Sequence, residues 1–93
     1  IRSSEARRKL ALQDMLAACD LALQAGMDEQ VVNRGKSHLW FSTALYFLRA
    51  KNWVLFDAFI TDSVQYQWFF DERHKFAWQH KNEPELVFKN IFG

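Results

Sequence analysis

At 93 residues the chain has the length of one domain, and 49% apolar, 16% aromatic and 25% charged residues are the composition of a packed globule. Three glycines and one proline exclude collagen-like and low-complexity chains. Twelve Lys and Arg against eleven Asp and Glu leave a net charge of +1, too small for the whole-molecule field that nucleic-acid binders usually carry.

Helix formers dominate residues 4–25, and Gly26 stands where a left-handed residue closes a helix. At 100° per residue Leu12, Met15, Leu16, Cys19 and Leu23 gather into one stripe, while Leu10, Ala17 and Leu21 fall almost opposite. This first helix therefore has two apolar sides, one for the core and a minor ridge that is either buried in the same bundle or offered to a second chain. Asp28 is an N-cap for a second helix, with Glu29 in its first turn. Gly35 costs about 1 kcal/mol inside a helix relative to Ala, which predicts a bend or a break there.

From residue 37 to 51 apolar side chains point almost all round the helical wheel, so this segment is expected to be the enclosed central helix of the domain. No alternating partner strand or Asn-Gly turn supports the competing reading as a buried strand. After a break at Asn52, residues 53 to about 80 read as one long amphipathic helix, unless Thr61-Asp62-Ser63 interrupts it. Leu55, Phe56, Phe59, Ile60, Tyr66, Phe70, Ala77 and Trp78 form its apolar stripe. Pro84 suits the first turn of a short last helix carrying Val87, Phe88, Ile91 and Phe92 on one side. The expected fold is an all-α single domain over residues 1–93, a small bundle of three long helices plus a short C-terminal one. The chain starts at Ile1 rather than Met, which suggests a domain excised from a longer protein.

Charge alternates in bands along the chain. Residues 1–9 sum to +3, 10–30 to −4, 31–51 to +4, 52–72 to −4 and 73–93 to +2. Oppositely charged segments of an antiparallel bundle then lie side by side, a bias on packing more than a source of stability.

Cys19 is alone, no Cys/His cluster has zinc spacing and no phosphate loop or nucleophile elbow is present. The expectation is a reducing, cytoplasmic setting with no metal and no cofactor. The longest run without charge, residues 37–48, falls short of the roughly 20 residues that cross a bilayer, so no membrane association is expected. Asp57 and Asp62 do not face each other on a helix, Asp71 and Glu72 diverge by about 100°, and His74 falls on the apolar stripe as a satisfied half-buried histidine. Arg73 and His80, with six residues between them, are similar to the Arg-x(4–6)-His signature of the helical HEPN ribonucleases. That resemblance implies a guanidinium that holds a scissile phosphate and an imidazole that moves a proton.

The strongest residual signal is aromatic excess. Trp68, Phe69 and Phe76 fall on the mainly polar side of the third helix, where other elements or a partner must cover them. With Leu10 and Leu21 they are the candidate protein-binding residues, and the expected function is a noncatalytic protein–protein interaction or self-association domain. The alternative is nucleic-acid binding through the basic N-terminal turn of Arg2, Arg7, Arg8 and Lys9, cations that oppose the dipole of the helix they begin. An RNase-like enzyme is the third class.

Overall fold

The computed structural model describes residues 4–66, 68 and 72–92, the Glu5 side chain excepted. Among these there are five helices and no strand: α1 (Ser4–Gln24), α2 (Glu29–Arg49), α3 (Trp53–Gln65), α4 (Glu72–Gln79) and α5 (Pro84–Phe92). The all-α expectation holds, with two long helices and three shorter ones in place of three long and one short. The chain divides into two compact units within α2, one running to Thr43 and one starting at Ala44.

In the first unit, α1 ends on Gly26 at φ +89°. The Gly26 N–H donates to the Leu23 carbonyl and the Met27 N–H to the Ala22 carbonyl, each at 3.0 Å, the paired bonds of a Schellman motif that satisfies two terminal carbonyls. Asp28 then caps α2, its Oδ1 accepting from the Gln30 N–H at 3.0 Å. α2 runs unbroken through Gly35, correcting the expected bend. A glycine penalty of about 1 kcal/mol is within what packing of the surrounding helix overrides. Leu12 and Leu16 of α1 and Val32, Trp40 and Thr43 of α2 are buried. Lys36 Nζ lies 3.7 Å from Asp20 Oδ1, joining an acidic and a basic band.

In the second unit, α2 stops on a second Schellman motif, with Lys51 N–H bonded to the Leu48 carbonyl and Asn52 N–H to the Phe47 carbonyl, both at 3.1 Å. Here a lysine, not a glycine, holds the left-handed position, at φ 52°. Asn52 caps α3 by accepting from the Leu55 N–H at 3.2 Å. α3 packs on α4 and α4 on α5. The core is built from Phe47, Phe56, Phe59, Ile60, Trp68, Ala77 and Val87, with edge-on and tilted ring contacts running from Phe47 through Phe59 to Trp68.

The long third helix expected over residues 53–80 is two helices. α3 ends at Gln65, where the Tyr66 N–H turns back to the Asp62 and Val64 carbonyls, and α4 starts at Glu72. The interruption lies after Thr61-Asp62-Ser63, not on it. Trp68, between the two helices, is 2% exposed, and buried His74 donates from Nδ1 to the Trp68 carbonyl. His74 thus supplies the partner that a non-helical carbonyl needs once it leaves water. Pro84 occupies the first position of α5, and the Glu83 carbonyl accepts the first two bonds of that helix.

Candidate functional site

Leu10 and Leu21 remain uncovered on α1, at 40% and 65% exposure. Eleven residues separate them, which is about 20° round the helix and about 16 Å along it. Asp14, Ala17 and Ala18 lie between them and are exposed as well. Leu12 and Leu16, on the other stripe, are buried. Met15 of that stripe stays 51% exposed, so α1 turns Leu12 and Leu16 to the core and leaves Leu10, Met15 and Leu21 open.

At the start of α1, Arg7 and Arg8 are exposed and Lys9 is half-buried; Arg2 lies outside the described residues. The surplus rings separate into distinct fates. Trp68 is sealed in the core of the second unit, so it is withdrawn from the candidate binding residues. The wheel misplaced it because it is not in a helix, and residues beyond the α3 terminus no longer keep the phase of that helix. Phe76 is half-buried with its ring centroid 4.3 Å from that of His80. Phe69 and Phe70 lie outside the described residues. Tyr66, placed on the buried stripe by the wheel, is exposed at the C-cap of α3.

Arg73 sits exposed in the first turn of α4 and His80 follows its last residue, a separation of about 10 Å along the axis. His80 Nδ1 lies 3.1 Å from Glu83 Oε1. The imidazole is therefore engaged by Glu83 of the α4–α5 turn and by Phe76. Among the described residues no group of three or more His, Cys, Asp or Glu is placed to hold a metal ion, and no helix is long and apolar enough to cross a membrane.

A feature that sequence reasoning missed lies in the second unit. Two clefts of about 640 and 440 Å³ adjoin, sharing Trp53 and Glu85 as walls. The larger is bordered by Asp57, Lys81, Glu83 and Leu86, the smaller by Leu48, Arg49, Lys51 and Phe88. Trp53 is 40% exposed and Phe88 37%. The Arg49 guanidinium lies 5.0 Å from the centroid of the Phe92 ring, and Lys81 Nζ 4.1 Å from that of Trp78. The trough itself draws on α2, α3 and α5, and no local pattern joins those three.

No protein-family model, no curated protein and no solved structure matches this chain. The functional reading therefore rests on the surfaces described above.

Proposed function

We propose that the chain is a noncatalytic interaction domain of a reducing, cytoplasmic setting, and that α1 is its docking helix for another protein or for a second copy. The observation that carries this reading is the exposure of Leu10 and Leu21 on one ridge of α1. Two leucines in line, with alanines beside them that let a second helix approach closely, form an unfilled half of a helix–helix contact. Asp14 between the leucines favours a partner that brings a cation to the middle of the contact.

The test is the double substitution Leu10→Lys with Leu21→Lys, followed by sedimentation of the purified chain and by capture of partners from source-cell extract. Self-association or a captured protein that the double variant loses, with helix content unchanged, supports the reading. Identical association and an identical captured set for both proteins remove it. A second reading, nucleic-acid binding, is favoured by the exposure of Arg7 and Arg8 at the start of α1. It requires an affinity that falls steeply with salt and that Arg7→Ala with Arg8→Ala weakens.

A further inference from the structure

The trough around Trp53 goes beyond that reading, because it belongs to the second unit and shares no residue with the α1 ridge. Its construction is that of a binding groove. Trp53 and Phe88 present large ring surface beside Leu48, in a concavity rather than on a convex knob. Arg49 and Lys51 border the smaller cleft, and Asp57 and Glu83 border the larger, with Glu85 shared and Lys81 on the acidic side. The middle of the trough is thus the Trp53 ring with the Glu85 carboxylate beside it, cations prevail toward the Leu48 and Phe88 end, and carboxylates outnumber the one lysine toward the other.

Lys51 gives the second, independent observation. It holds the left-handed C′ position at φ 52°, where glycine is favoured because a Cβ is crowded there. The equivalent position after α1 is a glycine. A strained residue that sets a cation on the rim of an aromatic groove is the pattern expected where local stability is given up for binding.

We propose that the Trp53 trough docks a short segment of a partner protein in which one large apolar side chain stands between an acidic and a basic residue. The apolar side chain lies against Trp53 and Phe88, the acidic residue reaches Arg49 and Lys51, and the basic residue lies toward Asp57 and Glu83. An anionic membrane surface fits less well, since it would meet the carboxylates of the larger cleft as well as the cations of the smaller.

The experiment pans a displayed library of random heptapeptides on the full chain, with Trp53→Ala as the counter-selection, and measures the enriched peptide by fluorescence anisotropy. Enrichment of a large apolar residue flanked by Asp or Glu on one side and Lys or Arg on the other is the expected result. Trp53→Ala should weaken the enriched peptide about tenfold or more, as for a buried aromatic anchor. Lys51→Gly is the decisive variant because it cannot fail through misfolding: it should raise the denaturation midpoint and still weaken the peptide about threefold. A Lys51 of purely structural role would not move these two readings in opposite directions. No enrichment over Trp53→Ala, an enriched set without the acidic residue, or unchanged affinity in Lys51→Gly overturns the proposal. So does binding to phosphatidylserine vesicles that requires Trp53 while no peptide binds. Leu10→Lys with Leu21→Lys should leave peptide affinity unchanged, so failure at the trough and failure at the α1 ridge are read separately.

Discussion

The two units bury their apolar residues by different means. In the second, rings from α2 and α3 meet Trp68 in a series of aromatic contacts, and His74 bonds the Trp68 carbonyl. In the first, α1 commits a single aliphatic stripe, with Leu12 and Leu16 buried, and leaves Leu10 and Leu21 outside. A helix held by one stripe has fewer apolar contacts opposing its opening than a segment enclosed on most sides. The comparison teaches that the aromatic residues divide: Phe47, Phe56, Phe59 and Trp68 build the core of the second unit, while Trp53, Tyr66, Phe88 and Phe92 stay on its surface. On α1 the exposed apolar residues are instead aliphatic, Leu10 and Leu21 among them.

The sharpest test of this contrast is truncation of one core residue in each unit. Trp68→Ala should destabilise the chain by about 3–5 kcal/mol in urea denaturation, through lost burial and a large cavity. The Trp68 Nε1–H has no acceptor among the described residues, so its loss offsets a small part of that. His74→Phe removes the donor to the Trp68 carbonyl and puts a larger ring in a buried site, and should cost at least about 1–3 kcal/mol. Leu16→Ala, in α1, should cost about 2–3 kcal/mol, toward the lower end for a leucine because a helix with one open side relaxes more readily. A cost for Leu16→Ala that matches Trp68→Ala would break the comparison.

What was legible in the sequence was what local chemistry decides. Gly26, Asp28, Asn52 and Pro84 each act within a few residues of themselves, and each sits at the helix end where its side chain or backbone preference places it. What was not legible depends on distant partners. The wheel carries a helix past its end as readily as through its middle, so Trp68 falls on a polar face by count although it lies beyond α3 and is buried in the core. Gly35 was read by propensity alone, and α2 continues through it. For the candidate surfaces the same division applies. The ridge of Leu10 and Leu21 is a property of one helix and could be counted out, whereas the trough needs Arg49, Trp53 and Phe88 from three helices.

The glycines sharpen the account of the first unit, with smaller effects of opposite sign. A Cβ at Gly26 meets no atom within 4 Å, but at φ +89° the backbone itself opposes it, so Gly26→Ala should cost about 1–2 kcal/mol. A Cβ at Gly35 also meets nothing within 4 Å, and there the backbone is helical. Gly35→Ala should therefore stabilise by about 0.5–1 kcal/mol, read as a higher thermal midpoint. Equal destabilisation by both would mean that Gly35 keeps a close approach for some other group, and would reopen the expected bend in α2.

The smallest expected effect bears most directly on what α1 is for. Leucine and lysine have similar helix propensity, and both Leu10 and Leu21 are more exposed than buried neighbours such as Leu12. A lysine at position 10 adds to cations that already oppose the helix dipole, while one at position 21 lies in the last turns, where a cation is favourable. The two terms nearly cancel, and surface substitutions of this kind usually stay within about 0.5 kcal/mol. Leu10→Lys with Leu21→Lys should therefore leave the urea midpoint almost unchanged. Near-neutrality would show that the fold does not need these leucines, so any association lost with them is lost from a docking surface. A drop of about 2 kcal/mol or more that does not depend on protein concentration would instead place the ridge in the core of the first unit, since a concentration-dependent drop is the loss of association itself.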